Sequence, residues 1–148
     1  EKIMSKTEDF LSKEDEQEIV QAIIEAEKNT SGEIRVHLEE HTEKSPLERA
    51  QEVFFELHMN ETQDRNGVLF YVGVADKKFA IIGDEGINNV VESDFWDCTK
   101  DVVIDNFKEK KFKKGLVEGI LRAGERLKKY FPYQSDDTNE LSNEISKG

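Results

Sequence analysis

Asn66-Gly67-Val68-Leu69-Phe70-Tyr71-Val72, followed after a short polar link by Lys78-Phe79-Ala80-Ile81-Ile82-Gly83-Asp84-Glu85-Gly86, is the stretch that decides the fold. Two apolar runs of this length suit strands and are too short for helices. The link Ala75-Asp76-Lys77-Lys78 cannot carry a parallel crossover, so the two runs are expected to pair antiparallel. The end of the second, at Asp84, then lies beside the start of the first, at Asp64 and Asn66. Two loops rich in oxygen ligands meet there.

The sequence upstream supplies a partner for this hairpin. Residues 33–40 alternate, with Ile34, Val36 and Leu38 on one face and Glu33, Arg35, His37 and Glu39 on the other. This pattern predicts a half-buried strand near a sheet edge. Ser45-Pro46-Leu47-Glu48 is a helix start, with an N-cap, a first-turn proline and a capping-box glutamate. Leu47, Ala50, Val53, Phe54 and Leu57 continue one helical face. Strand, helix and strand 67–75 form a βαβ unit. The run from Gly67 is apolar on both faces, as a central strand covered by helices should be.

Further elements flank this unit. Ser12 with Asp15 resembles a capping box, and Ile19, Val20, Ile23 and Ile24 stripe a helix to about Lys28. A third helix is expected from Ser93, bearing Phe95, Trp96, Thr99, Val102, Val103 and Phe107, with Trp96 and Phe107 mostly buried. A fourth runs from Phe112 through Leu116, Ile120 and Leu127, stopped by Pro132. The expected organisation is a loose N-terminus at 1–11, one domain at 12–133 and a polar tail at 134–148 strapped onto the surface.

Composition narrows the function classes. The 148 residues carry a formal net charge of -12, with 36% charged and 36% hydrophobic residues. This field repels phosphate backbones, which argues against nucleic-acid binding and favours divalent cations or basic partners. The single cysteine, Cys98, excludes an intrachain disulfide framework. No apolar stretch reaches the ~20 residues of a membrane span. The N-terminus shows no apolar leader core, so a cytoplasmic location is expected, although a processed precursor would look the same. A monomer is expected as well.

Asp64, Asp84, Glu85, Asp94 and Asp97, with Asn66 and Asn88, gather hard oxygen donors near the strand ends. Such carboxylates repel one another, and a divalent cation relieves that repulsion. The competing reading is a set of solvated loop acids, and no EF-hand spacing is present. His37 and His41 lie roughly 13 Å apart along the strand, too far to share an ion. Together with His58 they read as surface histidines, and Cys98 reads as packing. Lys108, Lys110, Lys111, Lys113 and Lys114 read as a solvated helix junction.

Ser31-Gly32-Glu33-Ile34, Arg65-Asn66-Gly67-Val68-Leu69 and Phe79-Ala80-Ile81-Ile82-Gly83-Asp84 with Gly86-Ile87 occur in the order and spacing of the TPM domain family, and the chain resembles that family over residues 8–146. The later Phe107, Phe112, Gly115-Leu116 and Gly119-Ile120 fit as well. So does the tail from Phe131-Pro132 to Ile145-Ser146, which is similar to the stand-alone bacterial branch. Many relatives carry a second glycine directly after the position of Asp84; here Glu85 stands there, and the glycine comes one later. The resemblance implies an α/β fold, a three-layer αβα sandwich with a mixed sheet of three to four strands and helices on both faces. It also implies crossing loops that hold Ca²⁺ or Mg²⁺, with Asp64 and Asp84 as ligands supported by Asn88, Asp94 and Asp97.

The expected function is therefore a soluble, non-catalytic metal-binding domain with a regulatory or interaction role and an unidentified protein partner. Two alternatives stand beside it. One is a metal-dependent acid phosphatase, for which Arg65 is the nearby cation and no nucleophile is visible. The other is an acidic interaction module in which metal plays no part.

Overall fold

A computed structural model describes residues 10–133 and 140–148. Four strands, β1 (Glu33–Glu39), β2 (Gly67–Gly73), β3 (Lys78–Gly83) and β4 (Ser146–Lys147), form one sheet in the order β3-β2-β1-β4. β1 runs parallel to β2 and to β4, whereas β2 and β3 are antiparallel. The helices are α1 (Lys13–Glu27), α2 (Pro46–Glu56), the single turn α3 (Glu85–Asn88), α4 (Asp97–Lys108) and α5 (Phe112–Lys128), with a 3₁₀ turn at Met59–Glu61.

β2 organises this arrangement, because every one of its residues is buried. Its alternating side chains feed two separate cores. Val68, Phe70 and Val72 join Ile34, Val36, Leu38 and Phe79 under α1, α4 and α5. Leu69 and Tyr71 join Ala80 under Ala50, Val53 and Phe54 of α2. The molecule is a three-layer α/β sandwich with helices on both faces. α5 reaches α1 closely because position 124 is glycine: a Cβ there would lie 2.8 Å from that of Ala26.

Helix starts follow the local signals. Ser12 and Asp15 close a reciprocal capping box on α1, and Ser45 caps α2 ahead of Pro46. The third major helix begins later than expected. Residues 93–96 form turns, and α4 starts at Asp97. Phe95 turns inward against Trp96 and Tyr130, with the Arg126 guanidinium over its ring, and this packing overrides the capping signal of Ser93. Phe107 is buried and Trp96 half-buried, while Cys98 is exposed rather than packed. Most of the segment expected to be loose, 1–11, lies outside the described residues. Its last residue, Leu11, is buried, and Phe10 packs on Phe107 and Phe112.

The polar face of β1 departs most from expectation. It does not face water: Glu33, His37 and Glu39 are buried. The Arg49 guanidinium reaches over from α2 and forks onto Glu39, with Nε 2.8 Å from Oε2 and Nη2 3.1 Å from Oε1. The Tyr71 hydroxyl donates to the same carboxylate, and His37 Nε2 lies 3.3 Å from Oε1. Burial pushes Glu39 up, but these hydrogen bonds outweigh it and leave the carboxyl below its ordinary pKa. Burial lowers His37 below the usual imidazole value. The tail, whose residues 134–139 fall outside the described residues, seals this face. Leu141 N donates to Glu33, Ser146 Oγ meets His37 Nδ1 at 3.0 Å, and Gly148 N donates to Leu38 O.

Two stability predictions follow from these buried charges. Arg49→Met should strand the Glu39 carboxylate and cost ~3–5 kcal/mol in urea unfolding, and a double variant with Glu39→Gln should recover most of that loss. Glu27 is the second case. Burial, opposed by the hydrogen bond from Ile34 N and reinforced by Glu33, raises its pKa to about 7 from 4.5. The native state thus holds this proton more tightly than the unfolded chain. The resulting stabilisation is complete below pH 4.5 and is lost as pH rises through about 7. Relative to wild type, Glu27→Gln should gain on the order of 1–3 kcal/mol between pH 5 and 7.5, read by thermal unfolding across that range.

Candidate functional site

The antiparallel return of β3 brings its end against the loop that enters β2. Asp84 N donates to Gly67 O at 2.9 Å, and Gly86 N donates to Arg65 O at 2.8 Å. The two loops cross in backbone contact. A Cβ built at Gly86 would stand 2.2 Å from the Asp64 carbonyl oxygen and 2.6 Å from that of Arg65. Only glycine permits this approach. The first loop is tied down from behind: Asn66 is buried, takes Thr62 Oγ1 on its N–H, and accepts Glu33 N–H on its carbonyl.

Asp84 sits at the centre of the crossing and is buried. Its Oδ1 accepts the Glu85 N–H at 2.7 Å, capping α3. Arg65, held at a left-handed φ of 50°, forks onto the same carboxylate. Nε lies 2.9 Å from Oδ2 and Nη2 3.1 Å from Oδ1, while Nη1 lies 3.5 Å from Glu85. The hydrogen bond to Asp84 holds the guanidinium above its ordinary pKa. An Arg carboxylate fork of this kind is directional as well as attractive.

The residues expected at a metal site are only partly gathered here. Asp84 and Asn88 line the mouth of one cleft with Arg65 and Glu85. Asn88 is exposed and spends its amide on the Gly83 carbonyl at 3.1 Å. Asp64 is exposed and brings its backbone carbonyl to the crossing. Asp94 and Asp97 are exposed on the turn that carries Trp96 to the cleft, with Asp97 N bonded to Asp94 O. Among the described residues, no three Asp, Glu, His or Cys side chains converge as a ready-made metal group. The positive charge beside Asp84 is that of Arg65. The donors present are carboxylates, carbonyls and an amide, the hard oxygens that Ca²⁺ and Mg²⁺ prefer. Of the expected ligands only Asp84 and Asn88 line this cleft, and Asp84 could serve such an ion only if the guanidinium gave way, its side chain being 41% exposed.

Behind these polar groups the cleft is apolar. Leu47, Phe54 and Phe55 of α2 form one wall, Trp96 the other, and Ile81 and Ile82 of β3 the floor, around about 510 Å³. Leu47 and Phe55 are exposed. Neither this cleft nor the fork of Arg65 onto Asp84 was read from the sequence. Leu47, expected on the inward face of α2 with Val53 and Phe54, instead stands at the edge of that face and is exposed, and Phe55 lies outside the inward stripe. With Arg65 beside Asp64, these were the signals available.

The TPM domain profile aligns with residues 4–126. The chain belongs to the TPM domain family. It is similar to the BA42 protein of the psychrophilic bacterium Bizionia argentinensis, whose NMR structure superposes with a TM-score of 0.90 at 56% identity, covering 98% of this chain and 100% of that one. The N-terminal domain of a protein from P. gingivalis shares the fold at a TM-score of 0.67 and 15% identity, over 84% of this chain and 82% of that one. The N-terminal domain of the cg2496 protein of Corynebacterium glutamicum does so at 0.62 and 10%, over 93% and 80%. No curated protein matches the chain. Among the described residues of this TPM domain, no helix is long and apolar enough to cross a membrane.

Gly86→Ala tests the crossing directly. Because the added methyl meets backbone carbonyls rather than a mobile side chain, the loops must separate. The cost should lie near the upper end of the ~1–3 kcal/mol typical of overpacking. Amide exchange at residues 64–67 and 84–88 should rise well before that of β2.

Proposed function

We propose that this TPM domain is a divalent-cation-binding interaction domain. Ca²⁺ or Mg²⁺ binds at the crossing of loops 64–66 and 84–88, with Asp64 and Asp84 as principal donors and Asn88, Asp94 and Asp97 in support. The observation that carries this reading is Asp84: a buried carboxylate at the contact of two loops, neutralised by a guanidinium whose side chain is 41% exposed. A divalent ion offers the carboxylate two charges in place of one and draws on the carbonyl-rich backbone around it. The negative charge of the whole chain concentrates cations at its surface. Since Asp84, Glu85 and Asn88 also line the cleft, the state of the crossing sets the shape of the apolar surface beside it. The role is accordingly regulatory: the ion orders a recognition surface for a protein partner.

The test is thermal unfolding of metal-stripped protein with chelator, with millimolar Ca²⁺ and with millimolar Mg²⁺, at constant ionic strength. Binding to the native state alone should raise stability by ~2.7 kcal/mol at a hundredfold excess over the dissociation constant. Asp84→Asn should lose most of that rise. Arg65→Gln should behave in the opposite way, with a lower melting temperature in chelator and a larger ion-dependent rise, because the competing cation is gone. An unshifted wild type, or an equal shift in Asp84→Asn, rejects the site.

A further inference from the structure

The floor of the cleft is the open edge of the sheet. Among the described residues, β3 pairs with β2 on one side and has no strand on the other. Its hydrogen-bond phase follows from one contact. Asp84 N donates to Gly67 O, and the register pairs Gly83 with Val68. Alternation along an antiparallel ladder then turns the N–H and C=O of Ala80 and Ile82 toward β2, and those of Phe79, Ile81 and Gly83 outward. The structure supports this phase independently, because the Gly83 carbonyl is taken from outside by Asn88 Nδ2 at 3.1 Å. The N–H groups of Ile81 and Gly83 and the carbonyl of Ile81 are thus presented along the cleft, between the α2 wall and Trp96.

We infer that this cleft is a peptide-docking site, in which an extended segment of a basic partner protein adds a strand to the β3 edge. Three features fix the chemistry of the occupant. The outward backbone groups call for an extended chain that supplies complementary donors and acceptors. The walls, exposed Leu47 and Phe55 on one side and half-buried Trp96 on the other, accept apolar side chains at alternate positions. The rim carries an acidic excess rather than acids alone: Asp84 and Glu85 line it against the single cation Arg65, which pairs with both, while Asp94, Asp97 and Glu48 stand close in sequence to the lining residues Trp96 and Leu47. Against a net charge of -12, the remaining positions of the strand suit lysine or arginine. A second copy of this chain would bring the same acids against one another. The inference rests on the proposed reading for its ion dependence alone: Asp84 lines the cleft, but the outward groups of β3 and the walls of Leu47, Phe55 and Trp96 are in place without an ion.

The experiment uses a synthetic capped heptapeptide of alternating lysine and valine as probe, titrated into the full chain in chelator and again in Mg²⁺. Amide shifts of the protein and calorimetry are followed together. Shifts should centre on Ile81, Gly83, Phe55 and Trp96. A probe with N-methyl groups on alternate residues, chosen to face β3, should bind at least tenfold more weakly, and a glutamate-for-lysine probe should show no binding. Phe55→Ala, at a side chain too exposed to hold the fold together, should weaken binding about fivefold. Three results would overturn the inference. They are indifference to N-methylation, shifts centred away from β3, and concentration-dependent dimerisation of the chain through the same amides without peptide. Binding in chelator that persists in Asp84→Asn would show that this site operates even where the ion site fails.

Discussion

Burial of β2 on both faces is the constraint on which the rest of the molecule depends. Leu69, Phe70, Tyr71 and Val72 are fully removed from water, and each such side chain contributes roughly 1.5–3 kcal/mol. A strand of this kind cannot lie at an edge or face solvent, so helices must cover it on both sides and strands must flank it. α2 serves one face, and α1, α4 and α5 the other. The two cores touch only through the sheet. The short link to β3 then determines that the antiparallel neighbour ends where β2 begins, and the crossing of the two loops is a geometric result of that hairpin.

The crossing shows how a polar site is held on an apolar frame. Gly86 sets the separation of the loops, Asn66 fixes the first loop from below, and Asp84 caps the second. What remains is one buried negative charge, which needs a counter-charge. In this structure Arg65 supplies it, from a backbone conformation uncommon for a side chain of that size. A left-handed residue adjacent to a carboxylate fork is the kind of local cost that packing elsewhere offsets and that functional loops often carry.

The apolar pattern made most of the fold legible. Strands at 33–40, 67–75 and 78–83, the helix from Pro46 and the long helix from Phe112 all follow from periodicity and capping, because those signals are local. The losses occurred where a distant group decides the outcome. The charged face of β1 looks solvent-facing in isolation, and only Arg49 and the tail, arriving from α2 and from β4, bury it. Ser93 carries a cap signal that the rings of Phe95, Trp96 and Tyr130 override. At the site, the meeting of residues 64–66 with Asp84 could be read from the length of the link. The fork of Arg65 could not, because it depends on a side-chain direction that spacing does not specify.

The tail has a bearing on the order of assembly. Its bonds, Gln63 N–H to the Glu140 carboxylate, Leu141 N–H to Glu33 and Ser146 Oγ with His37, join residues 77 to 109 positions apart. Contacts of such separation close large loops and form slowly relative to those within the α4 and α5 hairpin. The sheet can therefore collapse around β2 while the β1 edge is still bare, with His37 and Glu39 hydrated and Arg49 already at hand. In the native sheet β4 pairs with β1 only at His37 and Leu38, and water is excluded from that face only while it is docked. Without β4, β1 is an unpaired edge, the kind of element most apt to be captured by another chain's strand. The charged side chains on β1, costly to bury at the end, keep that edge soluble until its own tail reaches it.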